Sequence, residues 1–366
     1  MRIALDVSSA VRPEATGVAN YVRRLVAALG RVGSGERFTL LHRFSRVRQR
    51  EHFVAPPAPN FRSRLLFEWH PLLGRRTDVF HGLDARLPGK WMKARLVATI
   101  HDVFSVLQSE QFAPAEFRAE KSRRYAEIAA RADRIIVVSE AVRQAVLEAL
   151  HPEPARLRVI YQAPGKEFHL RPEDEVRAVR ARYGLLEPYL LYVGSINKRK
   201  NLPALIRGFL RARERAGSQA VLAIVGREGY GSDQTQAALA AAGPAGSRFV
   251  KLFGYVSTRD LARLYCGALG LALVSLYEGF GLPVVEAFAC GCPVLGTTAG
   301  SVPEIAAGAA LLADPQDNQQ IAMRLEQLLS EESLRQELSR KGLARAQAFS
   351  WDKAARQCLE LYRELA

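Results

Sequence analysis

Short apolar runs alternate along the chain with segments whose apolar residues recur every three or four positions. The first such run is Arg2–Val7. It is followed by a loop, Ser8 to Gly17, and by Val18–Leu29, where Val18, Tyr21, Val22, Leu25 and Leu29 share one helical face. Strands are expected at Phe38–His42, Asp78–Gly82, Arg95–Ile100, Arg134–Val138 and Leu157–Tyr161, with helices at Pro114–Arg131 and from Glu140 to about Leu150. Between Arg43 and Arg76 the rhythm is lost, and Pro56-Pro-Ala-Pro59 is expected to break any regular element. The rhythm resumes with strands at Tyr189–Val193, Ala220–Val225, Phe249–Phe253, Leu269–Val274, Pro293–Gly296 and Ala310–Leu312. Between them, helices are expected at Asn201–Ala216, with Asn201 as N-cap, at Ser232–Ala242, and at Thr258–Cys266. Ser301-Val-Pro-Glu304 reads as a capping box. Strands alternating with helices imply parallel sheets, and two such series imply two doubly wound α/β domains. The expected domains are 1–165 and 183–349, joined by a charged, Pro/Gly-bearing stretch. A last helix, 350–366, follows.

Length supports the same division, because 366 residues exceed one ordinary core. No run approaches about 20 apolar residues, and the start lacks the apolar centre of a signal peptide, so a cytosolic protein is expected. The four cysteines, Cys266, Cys290, Cys292 and Cys358, lie in apolar or helical settings without metal or redox spacing. The net charge is +15, and it is uneven: residues 1–165 hold 27 Lys/Arg against 16 Asp/Glu, and the remainder 25 against 21. Much of the excess lies in Arg43–Arg76, where arginines are interleaved with Phe44, Phe53, Phe61, Phe67 and Trp69. That mixture suits an anionic membrane surface. A solvated face and a nucleic-acid surface are the alternatives.

Candidate chemistry gathers at the expected carboxyl ends of strands, where open α/β sheets bind ligands. The most informative stretch is Ser275-Leu-Tyr-Glu-Gly-Phe-Gly-Leu-Pro-Val-Val-Glu286. Pro283 suits a first helical position, so the Phe280, Gly281 and Leu282 amides lie at a helix N-terminus, a place that binds anions and hydroxyls. Glu286 is the lone charge of an apolar helix and is suited to a ribose diol, whereas Glu278 stands on the loop. Upstream, Arg199 and Lys200 place two cations between a strand and a helix, as a phosphate site requires. His101 ends a buried strand, as does His81. No Walker A loop, dinucleotide fingerprint, Asp-x-Asp or metal constellation occurs, which counts against a nucleotide-dependent oxidoreductase. No recognition motif supports nucleic-acid binding.

The segment Glu278-Gly-Phe-Gly-Leu-Pro-Val-Val-Glu286 resembles the Glu-x7-Glu motif of the retaining family 4 glycosyltransferases. Gly17-Val-Ala-Asn-Tyr-Val22, Thr99-Ile-His-Asp102, Val137-Val-Ser-Glu140, Tyr192–Asn201 and Gly300-Ser-Val-Pro-Glu304 support the resemblance in the same order. It implies the GT-B fold, two Rossmann-like domains facing each other across a cleft, with the last helix packing back on the N-terminal, acceptor-binding one. It implies a nucleotide sugar as substrate and no metal cofactor. Arg199 and Lys200 would neutralise the diphosphate, Glu286 would hold the ribose, and Glu278 with the Phe280–Leu282 amides the donor sugar. The base would lie near Gly254–Val256. Gly17 would let its loop approach the diphosphate, and His101 would lie by the transferred sugar. Where many members carry arginine after the glycine matched by Gly194, this chain has Ser195. The Arg199-Lys-Asn201 pattern resembles mannosyltransferases, so GDP-mannose is the first expected donor and a UDP-hexose the second. The acceptor is expected to be lipid-linked or a saccharide, met at the inner face of the cytoplasmic membrane.

Overall fold

The structure is a computed structural model and describes residues 1–11, 17–45, 53, 58–66, 77–107 and 112–366. The chain divides into two compact units, the first from Met1–Ser109, Pro114–Gln162 and Ser350–Ala366, the second built on Ala163–Phe349.

In the first unit, β1 (Arg2–Asp6), α1 (Gly17–Val32), β2 (Arg37–Arg43), β3 (Phe61–Leu66), β4 (Val79–Gly82), β5 (Arg95–Ile100), α2 (Phe104–Leu107), α3 (Ala115–Arg131), β6 (Arg134–Val137), α4 (Glu140–Leu150) and β7 (Leu157–Val159) follow in order. The second unit continues with α5 (Glu173–Arg182), β8 (Tyr189–Val193), α6 (Leu202–Arg215), β9 (Val221–Val225), α7 (Asp233–Ala241), α8 (Gly243–Phe249), β10 (Val250–Leu252), α9 (Thr258–Gly267), β11 (Gly270–Ala272), α10 (Leu282–Ala289), β12 (Val294–Thr297), α11 (Val302–Ala306), β13 (Leu311–Ala313), α12 (Asn318–Ser330) and α13 (Glu332–Ala346). The last helix, α14 (Trp351–Leu365), belongs to the first unit.

Both sheets are parallel, with strand orders β3-β2-β1-β4-β5-β6-β7 and β10-β9-β8-β11-β12-β13. The inner strands are near-continuous apolar runs because helices cover both faces; β9 is buried at every position. In each sheet the order reverses direction once, between β1 and β4 and between β8 and β11. Loops leaving the carboxyl ends of those strands diverge there and open a crevice.

The strand β3 was not expected. It pairs with β2 along its length, started by Asn60, whose side-chain amide donates to Gly33 O and Glu36 O, and by Phe61 stacked on Phe38 at 4.6 Å. Its exposed arginines, Arg62 and Arg64, are of the kind that blunt an open sheet edge. Arg43 does not join them on the surface. It is buried, its Nε donates to Asp6 Oδ2 at 2.8 Å, and a terminal nitrogen donates to Leu87 O, so it leaves the basic patch inferred for Arg43–Arg76. Ser8 completes this network by donating to Asp6 from Oγ. The charges of Arg43 and the bonds of Ser8 overcome the upward push of burial and hold the Asp6 carboxyl low. Arg46, Arg48, Arg50, Phe67, Trp69, Arg75 and Arg76 lie outside the described residues.

The stretch 163–183, expected as a join, carries α5. Three acids in its first turn and Arg180 and Arg182 in its last complement the helix dipole, and Val176 and Val179 are buried. The helix packs on α9, with Glu175 paired to Arg263. In the first unit α14 packs against α1, and Tyr362 Oη lies 2.5 Å from His81 Nδ1. His81 Nε2 is 2.8 Å from Thr99 Oγ1, which also meets Tyr21 Oη at 3.2 Å. This fully buried chain of polar groups bolts α14 to the sheet. Burial, and to a lesser degree His101, pushes His81 down to about 3, so its imidazole is neutral and bridges a donor and an acceptor.

Candidate functional site

The second unit builds a site at the crevice between β8 and β11. After β8 the chain turns at Gly194 and makes a short 3-10 turn, Lys198–Lys200, closed by Asn201 in the left-handed region (φ 57). Asn201 holds the expected N-cap position of α6, its carbonyl accepting from Ala204 N and Leu205 N, but its side chain makes no capping bond. Its side-chain amide instead donates to Val274 O at 3.2 Å and Pro315 O at 2.8 Å, fastening the end of the neighbouring strand. Leu276 N donates to Arg199 O at 2.8 Å, a second fastening between the two loops.

These cross-links bring Lys200 and Glu278 together. Lys200 Nζ donates to Glu278 Oε1 at 2.6 Å, with the two residues 7% and 6% exposed. The sequence reading gave them separate roles; the structure makes them one buried ion pair. Burial pushes the Glu278 carboxyl upward, but the Lys200 and Arg199 charges outweigh it and hold the group below the ordinary glutamate range. Glu278 is therefore a carboxylate at neutral pH. It can accept hydrogen bonds and offset positive charge, but it has no proton to give.

The loop after β12 clamps Glu278 from behind. Ser301 N and Ser301 Oγ both donate to Glu278 O, at 3.0 and 3.1 Å. Ser301 thus serves the loop, and no side-chain cap is made on α11, against the capping-box reading. Gly300 makes the clamp possible. Its φ is +66, and a Cβ there would stand 2.4 Å from Glu278 O.

Gly281, in the left-handed region, opens α10, and Pro283 sits in its first turn. Pro283 has no amide hydrogen, and Val284 N donates to Gly281 O at 2.9 Å, so the turn that Gly281 opens is closed at its third residue. Phe280 is buried with its ring edge-on to Phe349 at 5.9 Å, and Leu282 is half-buried. Glu286 is buried, and Tyr265 Oη on α9 donates to its Oε2 at 3.5 Å. Burial and the Glu286 charge keep Tyr265 protonated as that donor. Val256 is buried just before Ser257, whose hydroxyl accepts from Asp260 N to cap α9. Ser195 is exposed, and its Oγ accepts from Asn197.

Arg199, Lys200, Val256, Glu278, Phe280, Gly281, Leu282 and Glu286 thus all belong to the second unit. Gly17 and His101 belong to the first. Gly17 is the exposed first residue of α1, and residues 12–16 before it lie outside the described ones. His101 follows β5, donates from Nε2 to Leu83 O at 2.9 Å, and meets the Tyr21 ring edge-on at 4.6 Å. Burial lowers its pKa. The sequence reading missed the structural parts of the site, namely Gly300 and Ser301 behind Glu278, Asn201 between the loops, and Tyr265 against Glu286. A helical tyrosine carries no sequence signal of that contact.

Comparison with known proteins agrees with this architecture. Residues 180–345 match the family model for glycosyl transferases group 1, and residues 15–163 match that for Glycosyltransferase Family 4. The chain is 28% identical to the O-antigen chain mannosyltransferase B of Escherichia coli, over 96% of each protein. It is 30% identical to the serotype-specific mannosyltransferase WbdA of Escherichia coli over 76% of this chain and 34% of the relative, so it spans about a third of that protein's length. The solved sucrose-phosphate synthase from Thermosynechococcus elongatus superposes with a TM-score of 0.78 at 24% identity, covering 100% of this chain and 99% of that one. With the two family models accounting for both halves, the chain is a GT-B enzyme belonging to the family 4 glycosyltransferases.

Proposed function

We propose that the enzyme transfers mannose from GDP-mannose, with retention of configuration, to a lipid-linked or saccharide acceptor during assembly of a cell-surface polysaccharide. The observation that carries this reading is the buried Lys200–Glu278 pair beside the N-terminus of α10. It joins a cation for a diphosphate to a carboxylate for a sugar. The similarity to two mannosyltransferases supports the choice of sugar.

In this reading Lys200 and Arg199 supply the diphosphate's counter-charge, the α10 amides add theirs, and no resident metal takes part. Glu286, oriented by Tyr265, accepts from the ribose hydroxyls. Glu278 accepts from the mannosyl hydroxyls and stabilises positive charge on the sugar as its bond to the diphosphate breaks. The acceptor oxygen bonds to the anomeric carbon on the face the diphosphate leaves, and its proton passes to the departing phosphate oxygen. The acceptor's lipid is met at the inner face of the cytoplasmic membrane, through the basic surface that includes Arg62 and Arg64. No helix among the described residues is long and apolar enough to cross a membrane.

A donor screen by thermal stabilisation and hydrolysis across GDP- and UDP-sugars tests this. GDP-mannose should stabilise the protein and be slowly hydrolysed. Stabilisation by UDP-sugars alone would move the donor to a UDP-hexose, and response to none would remove the reading.

A further inference from the structure

We propose that Cys266 and Cys290 are a dithiol oxidised by hydroperoxides, closing to a disulfide between α9 and α10. Cys266 is the sulfur that meets the oxidant, and Cys290 is the one that resolves it.

The two residues are far apart in sequence and are brought together by packing. Cys266 is in the last turn of α9, and Cys290 is the C-cap of α10. Beside them the helices are joined by the bond from Tyr265 Oη to Glu286. The segment before α5 runs against both cysteines. Cys266 Sγ lies 3.5 Å from His169 O and accepts from the Arg171 backbone N–H, and a Cβ on Gly291 would stand 2.9 Å from Leu170 Cδ2. There the Cys290 thiol hydrogen-bonds to that of Cys266. Cys266 is half-buried, whereas Cys290 is 1% exposed, so one sulfur is open to solvent and the other stands behind it. A bridge between them closes the loop 266–290, which contains β11, Glu278 and α10.

A cavity of about 490 Å³ opens beside the pair, lined by Ala268 and Leu269 after α9, by Pro293, and by Ser339 and Leu343 of α13. Ser339 and Leu343 also face Gly291, the residue between Cys290 and Cys292. The cavity lies at the amino ends of β11 and β12, and Lys200 and Glu278 lie at the carboxyl edge. A small oxidant can therefore arrive without passing the substrate site.

The surroundings sort the sulfurs. The bond from Cys290 does most to hold the Cys266 thiol below the usual range; the Arg171 amide and the Arg171 and Arg263 charges add to it, and together they outweigh burial. The same bond, with burial, pushes Cys290 up. Thiolate character with solvent access marks the sulfur that attacks a peroxide, and a neighbouring thiol completes the pair. Cys292 and Cys358 lack both: they are buried, burial pushes their thiols up, and Cys292 Sγ donates to Pro293 O.

The chemistry balances with hydrogen peroxide as oxidant. The Cys266 sulfur bonds to one peroxide oxygen, the O–O bond breaks, and the other oxygen leaves as hydroxide and takes up the proton Cys266 gave away. Cys266 is then a sulfenic acid. The Cys290 sulfur bonds to the Cys266 sulfur, the S–O bond breaks, and hydroxide leaves with the Cys290 proton as water. Two thiols and one peroxide give one disulfide and two waters, each sulfur supplying one electron.

The test treats the full chain with hydrogen peroxide, alkylates remaining thiols after unfolding, and maps the peptides by mass spectrometry. Wild type should lose two hydrogens in a link between the Cys266 and Cys290 peptides, regain them with dithiothreitol, and leave Cys292 and Cys358 alkylated. Cys290→Ser should stop at the sulfenic acid, trapped by dimedone at Cys266. Cys266→Ser should leave its other cysteines alkylated. The wild-type map stands whether or not either variant folds. A wild type with all its cysteines alkylated, a bridge from Cys266 to Cys292, or a bridge between two copies of the chain would overturn the proposal.

Discussion

Replacing Glu278 by Gln keeps the shape of the Lys200–Glu278 pair and removes one charge. Both side chains are under a tenth exposed, and their atoms meet at 2.6 Å. At an effective dielectric near 20, the gross attraction is about 6 kcal/mol. Most of it offsets the desolvation of the two charges. The measurable quantity is therefore the cost of leaving one charge buried alone, about 3–5 kcal/mol. Glu278→Gln and Lys200→Met should each lose about that much in calorimetric unfolding. The double variant should recover most of the loss, for a coupling energy of several kcal/mol, whereas an exposed pair would show about 0.2–1 kcal/mol. A diphosphate can also replace the missing carboxylate beside Lys200, so GDP should raise the unfolding temperature of Glu278→Gln more than that of wild type. The pH dependence has a definite sign. The folded carboxyl titrates below its ordinary value of 4.5, so the pair's contribution is intact above that pH and is lost as pH falls through the lower folded value. A coupling below about 1 kcal/mol, or an equal or smaller GDP response in Glu278→Gln, would refute the reasoning.

Gly300→Ala should destabilise by about 2 kcal/mol or more, since it combines strain at φ +66 with a contact at 2.4 Å to Glu278 O, and turnover should fall with it; unchanged turnover would separate the clamp from the chemistry. Glu286→Gln should weaken GDP binding by about 1.5–3 kcal/mol while leaving Tyr265 a partner, as titration calorimetry can read. Tyr362→Phe should cost about 1–3 kcal/mol by stripping a buried His81 nitrogen of its partner. His81 binds its proton near 6.5 when unfolded and near 3 when folded, so wild-type stability should fall by about 1.4 kcal/mol per pH unit below 6.5 from this group, and His81→Gln should flatten that slope in unfolding curves at pH 7 and 5. Sedimentation with anionic vesicles should carry down the wild type and less of Arg62→Glu/Arg64→Glu; equal recovery would take these residues out of the membrane surface.

The parallel α/β architecture was legible because β8, β9 and β12 are buried on both faces and so read as apolar runs closed by glycine or threonine. The strand β3 was not, because an edge strand with Arg62, Ser63 and Arg64 all exposed shows no alternation. The helix α5 was hidden by its polarity, since only Val176 and Val179 of its ten residues are buried. Local rules also misplaced two side chains. Asn201 and Ser301 have the chemistry of caps, but tertiary partners more than seventy and twenty residues away claimed them. The glutamates and cations of the site were legible as residue types in a motif. That Lys200 would be spent on Glu278 was not, because a contact across 78 residues depends on which strands flank the reversal of sheet order. Arg43 makes the same point in the first unit, where a residue read as surface charge is the buried partner of Asp6.

The most direct test of the central claim is proton NMR of GDP-mannose incubated with the enzyme, alone and with Glu278→Gln. The account predicts slow release of GDP and mannose by wild type, with the α-anomer appearing first, and loss of that release in the variant although GDP still binds. Release of the β-anomer first would contradict retention, and undiminished release by Glu278→Gln would contradict the role given to the Lys200–Glu278 pair.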